Sequence, residues 1–357
     1  MADNLIEFTP KGMYCAQGDF YIDPWRAVER ALITHAHGDH ARYGHKYYLS
    51  HHDSIPIMKA RLGFNLYDGV AYGETRVING VKVSFHPAGH IIGSAQIRLE
   101  YKGQVWVASG DYKTEFDGIS PAFETVKCHV FITESTFGLP VYNWNPQQEI
   151  FDDMNAWWQH NKERGIATVI MAYSLGKAQR ILHNIDKGIG PVYLHGAIHN
   201  MNQAIRSSGY DLPNFPKVDA SMKKEHFRQA LIIAPPGATG TSWFKRFLPY
   251  SVGVASGWMA VRGTKHRQAA DKGFALSDHA DWPGLNAAIK ATGAEKVIVT
   301  HGYTAVFSKW LCENGYDSRT VETQFVGEGP DISEEETDTP ENIEIQDLGL
   351  EEKNIQE

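Results

Sequence analysis

The stretch His35-Ala36-His37-Gly38-Asp39-His40 follows the apolar run Ala31-Leu32-Ile33 and sets four metal-ligand side chains within six residues. Imidazole and carboxylate donors at alternating positions, closed by an adjacent pair, let one strand-to-loop turn reach two ions. His35 and His37 would serve one, Asp39 and His40 the other. Two ions about 3.5 to 4 Å apart clamp the attacking and leaving oxygens of a phosphoryl or acyl substrate, so the string points to hydrolysis. A His-rich loop selected for solubility or turn formation is the plain alternative, but this spacing is far rarer than a lone His-x-His.

Three further residues extend the pattern. His90, in Ala88-Gly89-His90-Ile91-Ile92-Gly93, follows a strand expected at 81–85. Asp111, in Ser109-Gly110-Asp111, closes a strand at 105–108, and His301, in Val299-Thr300-His301-Gly302, closes one at 296–300. Each stands at a strand's C-terminal end beside a glycine. Singly, each reads as a turn or cap residue. With the first cluster they complete two donor sets: His35, His37 and His90 for one ion, Asp39, His40 and His301 for the other, with Asp111 bridging. Asp23, after the strand residues 21–22, is placed to orient a ligand imidazole, or else to serve only in the turn with Pro24. Donors of His and Asp type without thiolate suit zinc, with manganese as the alternative.

Glu134, in Thr133-Glu134-Ser135-Thr136, and His279, in Ser277-Asp278-His279-Ala280, suggest a proton donor. A carboxylate bonded to an imidazole keeps it protonated near neutral pH, which suits protonation of a leaving alkoxide. Helix N-capping in that neighbourhood is the competing reading. Glu134, His279 and Asp39 are the expected catalytic residues.

The chain of 357 residues is long enough for two domains or one large one, and its 42% apolar content is that of an ordinary globular protein. No apolar run approaches a membrane span, and Met1-Ala2-Asp3-Asn4 lacks a signal-peptide pattern, so a cytoplasmic location is expected. Cys15, Cys128 and Cys312 are too few and too scattered for a disulfide framework or a zinc ribbon. The net charge of −8 conceals an asymmetry: residues 328–357 carry −11 and the remainder +3. A mildly basic body permits a nucleic-acid partner. The acidic tail, 327–357, is expected to be disordered.

Short β-rich runs punctuated by Gly, Asp and Asn fill the first part, at 20–22, 32–34, 47–49, 81–85, 95–101, 105–108 and 130–133. From about 146 the grammar changes to alternating helix and strand: helices at 147–164, 177–185, 201–207 and 243–247, and strands at 167–172, 191–194, 231–233 and 252–255. This reads as a parallel α/β unit. Strands at 274–276 and 296–300 and helices at 282–291 and 305–313 carry His279 and His301, which assigns them back to the first domain.

In order and context, His35 to His40, His90, Asp111, Glu134, His279 and His301 resemble the motifs of the β-CASP nucleases of the metallo-β-lactamase superfamily. That group includes the pre-mRNA 3′-end processing endonuclease, bacterial RNA-maturation nucleases and Artemis-like DNA-repair nucleases. The likeness runs from about residue 8 to 326, and the phrasing around each motif looks most like the bacterial DNA-ligase-associated exonucleases. The resemblance implies an α/β fold: a metallo-β-lactamase αββα sandwich of 1–142 and 273–326, interrupted by a β-CASP domain at 143–272 that caps the metal cleft and guides a nucleic-acid strand. It implies a nuclease dependent on two divalent ions that hydrolyses phosphodiester bonds, a DNA exonuclease in repair, with an RNA-processing ribonuclease as the alternative. His at the position of His301 is typical of RNA-processing members. A small-molecule metallohydrolase would leave the inserted unit and the Glu134 and His279 pair unexplained. The expected partners are single-stranded nucleic acid, DNA over RNA, and a DNA ligase or helicase, with no membrane. The turn Ala172-Tyr173-Ser174-Leu175-Gly176-Lys177-Ala178-Gln179 resembles a phosphate-binding strand-to-helix turn, so Ser174, Lys177 and Arg180, with Arg262 and Lys265 from a later basic run, are the expected backbone contacts. Trp157, Trp158, Trp243 and Trp258 offer either base stacking or core packing.

Overall fold

The computed structural model of the chain describes residues 4–261 and 270–325. Strands β1 (Glu7–Thr9), β2 (Gly12–Cys15), β3 (Phe20–Ile22), β4 (Arg30–Leu32), β5 (Tyr47–His51) and β6 (Leu66–Val70) form a first sheet in that order, antiparallel up to β3 and parallel beyond it. Helix α1 (Ser54–Leu62) makes the crossover from β5 to β6. A second sheet holds β7 (Thr75–Ile78), β8 (Val81–Pro87), β9 (Ala95–Tyr101), β10 (Gln104–Ala108) and β11 (Val130–Ser135).

The chain then builds a third sheet. Helix α2 (Gln147–Glu163) leads to β12 (Ala167–Met171), α3 (Lys177–Asn184), β13 (Val192–Leu194), α4 (Gly196–Arg206), β14 (Leu231–Ala234), β15 (Tyr250–Ala255) and β16 (Lys272–Phe274). All five strands are parallel, in the order β13-β14-β12-β15-β16. A parallel sheet is covered on both faces, which is why β12 and β14 read as unbroken apolar runs and are buried throughout. Helices α2, α3 and α4 cover one face, and Phe227, Phe244 and Phe247 cover the other.

After α5 (Trp282–Thr292) the chain returns to the second sheet, where β17 (Lys296–Gly302) inserts beside β11, followed by α6 (Thr304–Glu313) and the edge strand β18 (Asp317–Thr320). Period-2 alternation orients both body sheets. Val83, Phe85, Ile97, Leu99, Ile132 and Ile298 meet Phe20, Ile22, Leu32 and Leu49 in one core, each large side chain contributing about 1.5–3 kcal/mol by burial. Helix α1 packs outside the first sheet, and α5 and α6 outside the second.

Differences from the sequence expectations are local. Helix α4 starts at Gly196 rather than 201 because the His195 imidazole caps it, accepting from the Ala197 amide at 3.2 Å. The strand expected at 274–276 lies at Lys272–Phe274 and pairs with β15, so it completes the third sheet instead of joining the body. Helix α1 and strands β1, β2, β6, β7 and β18 had no counterpart in the expectations. The expectations for Arg262, Lys265 and the acidic tail lie outside the described residues. Among the described residues, no helix is long and apolar enough to cross a membrane.

Candidate active site and metal centre

Strands β8, β10, β11 and β17 run in one direction, and their C-terminal ends, or the turns that follow, present His90, Asp111, Glu134 and His301 along one edge. The facing sheet delivers His35 to His40 from the turn after β4. Glycine makes two of these turns possible. Gly89 has φ +74° and a Cβ there would sit 2.2 Å from the Lys113 carbonyl oxygen; Gly302 has φ +87° and a Cβ would meet the Ser135 carbonyl at 2.3 Å.

The donor atoms converge on Asp111. His35 Nε2, His40 Nε2 and His90 Nε2 lie 3.5, 3.6 and 3.9 Å from its Oδ2, and His301 Nε2 lies 2.9 Å from its Oδ1. His35, His37, His90 and Asp111 form one compact donor group, and His40, Asp111 and His301 a second that shares the carboxylate. Asp39, half-buried, stands at the rim with Oδ2 3.7 Å from His40 Nε2. His35, His40, His90, Asp111 and His301 are buried.

Hydrogen bonds fix the imidazole tautomers. His37 Nε2 donates to the Leu175 carbonyl at 3.2 Å and His90 Nδ1 donates to the Asp278 carbonyl at 2.8 Å. With both protons committed there, the lone pairs of His37 Nδ1 and His90 Nε2 face each other at 3.0 Å. Two acceptors that close repel unless a cation lies between or beside them, so this donor set fits a metal ion. His40 Nδ1 donates to Asp23 Oδ2 at 2.8 Å, which turns Nε2 toward Asp111. The buried nitrogens His35 Nε2 and His40 Nε2 have no hydrogen-bond partner among the described residues. Asp23 itself is buried and also accepts from the Thr34 amide and hydroxyl. Phe325 stacks on the outer face of His40, centroids 4.3 Å apart.

Burial lowers His35 and His90 well below the usual imidazole range, reinforced for His35 by His40 and for His90 by His279 and His37; burial also lowers His37. All three are thereby kept in the neutral form that binding a metal ion requires. Burial would lower His40 as well, but the Asp39 and Asp111 carboxylates, joined by Asp23, outweigh it and hold it at about 10. Asp111 is held well below the carboxylate range: burial opposes this, but His40 and His301 prevail. Beside this cluster His279 Nδ1 donates to Glu134, 2.9 and 3.0 Å from its two oxygens. Glu134 is oriented by the Tyr112 amide at 2.8 Å, and the His279 ring lies 4.7 Å from that of His90.

Lys177 and Arg180 correct the sequence expectation. Both were read as exposed backbone contacts, yet both are buried. Lys177 Nζ lies 3.1 Å from Asp278 Oδ2, and Arg180 donates to the Ser277 carbonyl at 2.5 Å and to Gln147. Helix α3 turns this cationic face inward because a carboxylate waits there. Ser174 is half-buried in the turn before α3. Trp158 is fully buried in the core, bonded to the Gln229 carbonyl; Trp157 packs on Phe274, and Trp243 among Phe244 and Phe247. Trp258 lies near Phe137, 5.1 Å between centroids. The sequence reasoning missed Asp278, Leu175 and Phe325. Of these only Asp278, inside the His279 string, carried a signal.

No protein-family model matches the chain. Over 87% of its length the chain is 28% identical to a probable DNA ligase of Opitutus terrae, of which it covers 30%. Over 90% of its length it is 23% identical to the endoribonuclease YSH1 of Mycosarcoma maydis, covering 45% of that protein. An RNase J-like protein of Methanocaldococcus jannaschii is 26% identical over 48% of both chains. The chain thus spans about a third to a half of the length of these relatives. A crystal structure of a protein of unknown function from Enterococcus faecalis V583 shares the fold, with a TM-score of 0.58 at 12% identity over 84% of this chain and 80% of that one. In its motifs and in the names of its relatives the chain is thus similar to the metallo-β-lactamase-fold β-CASP nucleases.

Proposed function

We propose that the chain is a two-metal-dependent nuclease that hydrolyses nucleic-acid phosphodiester bonds, acting as a DNA exonuclease in repair. The observation that carries this reading is the pair of donor groups sharing Asp111, with the Glu134 and His279 pair beside them. The facing body sheets with helices outside, and the parallel unit that intervenes between β11 and β17, support a metallo-β-lactamase sandwich with a β-CASP insert that begins at 143 and ends after β16, at 274 rather than the expected 272.

In this reading His35, His37, His90 and Asp111 would hold one ion, and Asp39, His40, His301 and Asp111 the other. Two such ions, zinc or alternatively manganese, would supply an activated water and offset charge on the phosphate oxygens. Asp111 is shared by both donor groups. Glu134 holds His279 Nδ1 as a donor, which makes Nε2 the nitrogen that trades a proton with substrate. A proton held there passes to the departing oxygen.

DNA is favoured by the relative named a probable DNA ligase, which matches nearly the whole chain while the chain covers only part of it; a DNA ligase is accordingly the proposed partner. A ribonuclease is the second reading, favoured by the relatives named endoribonuclease and RNase J-like. End-labelled single-stranded DNA and matched RNA, incubated with zinc or manganese, separate the two. Metal-dependent stepwise shortening of DNA, lost in Asp39→Ala, supports the repair exonuclease; selective cleavage of RNA moves the chain to RNA processing, and no cleavage of either overturns the nuclease reading.

A further inference from the structure

Two members of the first donor group, His37 and His90, are supported from a different part of the chain than the rest: His35, like the second group, is held from within the body, with Nδ1 3.0 Å from Thr34 Oγ1. His40 is held from within the body, by Asp23 on one nitrogen and Phe325 on one ring face. His301 is steadied by its neighbour Thr300, 3.0 Å from Nδ1. His37 and His90 are held differently. The acceptor for His37 is the Leu175 carbonyl, in the turn between β12 and α3 of the third sheet's unit. The acceptor for His90 is the Asp278 carbonyl, on the strip that leaves the same unit. That strip is gripped by α3: Lys177 holds the Asp278 carboxylate at 3.1 Å, and Arg180 lies 3.6 Å from it and bonds the preceding carbonyl of Ser277. A buried carboxylate between two buried cations is a stiff anchor, because separating any member leaves an uncompensated charge out of water.

We infer that Asp278 is a positioning residue through which helix α3 of the inserted unit sets the affinity of the first metal site alone, the one built from His35, His37 and His90. The second site, built from Asp39, His40 and His301, does not depend on it. This inference rests on the two-ion reading above. Physically, an imidazole binds a metal well only when its other nitrogen is held by an acceptor in the right place, and loss of such an acceptor costs about 10- to 100-fold in affinity. Removing the Asp278 charge takes away the Lys177 pair and leaves the 277–279 strip tied to α3 only by the Arg180 bond to the Ser277 carbonyl, which lets the His90 acceptor shift. The first ion is thereby made sensitive to how the insert sits on the body, and the second is not.

The test is metal titration of the full chain, by zinc competition against a chromophoric chelator, in two single-site backgrounds. With His301→Ala removing the second site, Asp278→Asn should weaken the remaining ion by about 10- to 100-fold. With His37→Ala removing the first site, Asp278→Asn should leave the remaining ion within about twofold of its background. Asp278→Glu, which keeps the charge, should recover most of the loss. Should Asp278→Asn fail to fold by circular dichroism, Lys177→Met, which leaves Asp278 paired with Arg180, should show the same selective weakening at smaller size. Equal weakening in both backgrounds, or none in either, overturns the inference and leaves the two-ion reading standing. A wild-type chain that binds no zinc overturns both.

Discussion

Asp23→Asn is nearly isosteric and changes one question only: which way an imidazole points its lone pair. Asp23 adopts φ +42°, a region that Asn tolerates as well as Asp, so the backbone has no reason to move. Its Oδ1 accepts from the Thr34 amide at 2.8 Å and its Oδ2 accepts from His40 Nδ1 at 2.8 Å. An amide can satisfy only one of these. With its oxygen toward Thr34, its NH2 confronts the His40 Nδ1 proton, and the ring must switch tautomer, placing a proton on Nε2 where a metal needs a lone pair. With its oxygen toward His40, the buried Thr34 amide loses its acceptor, at a cost of about 1–3 kcal/mol. The first outcome should weaken the second ion by about 10- to 100-fold, equivalent to about 1.4–2.8 kcal/mol, and the second should instead lower folding stability. His40 should also titrate lower, since the Asp23 bond is one of the influences that raise it. Zinc competition on wild type and Asp23→Asn measures the affinity directly. Two ions bound as tightly as in wild type, with unchanged turnover and unchanged stability to urea, would refute the reasoning and reduce Asp23 to a turn residue beside Pro24.

Three further outcomes are expected. His279→Ala should retain both ions yet lose about 10²- to 10⁴-fold in turnover; metal content by plasma mass spectrometry beside single-turnover cleavage separates this from a ligand role. Burial would raise the Asp278 carboxyl, but Lys177 and Arg180 outweigh it and hold it at about 2. Its folded pKa thus lies below the unfolded value of about 3.9, so it contributes about 2–3 kcal/mol that is present above about pH 4 and lost as pH falls through 2. Urea unfolding across that window should show a shallower acid slope in Asp278→Asn. Chelation should lower the thermal midpoint, because ions bound at 1,000 times their dissociation constant contribute about 4 kcal/mol; a midpoint unmoved by EDTA in protein loaded with zinc would count against the metal centre.

Local order was legible where it carried chemistry or periodicity. The run from His35 to His40 and the His90, Asp111 and His301 turns were visible because side chains of one chemical type recur at strand ends, and β8, β9 and β12 because alternation or unbroken apolarity reports how many faces are buried. Helix α1 was hidden: Pro56 lies inside it, and its buried residues Ser54, Ile57, Met58 and Leu62 include a polar one. Strand β18 is Asp-Ser-Arg-Thr, with no apolar face, and exists because β17 offers an edge to pair with. Lys177 and Arg180 misled for a deeper reason. Two basic residues three apart on a helix read as a solvated face, and the carboxylate that draws them inward lies about 100 residues further along. No local spacing encodes such a partner.

The placement of β17 has a consequence for how the protein is made. Strand β17 sits between β11 and β18, and it brings His301 beside residues that left the ribosome more than 180 residues earlier. A nascent chain already exposes the His35 to His40 turn, His90 and Asp111 while still lacking His279 and His301. Since domains tend to fold in the order they emerge, the early donor side chains wait without the proposed proton donor and without a complete second donor group. An unfinished chain can gather imidazoles, but the second donor group and the Glu134 and His279 pair are complete only once β17 has joined β11.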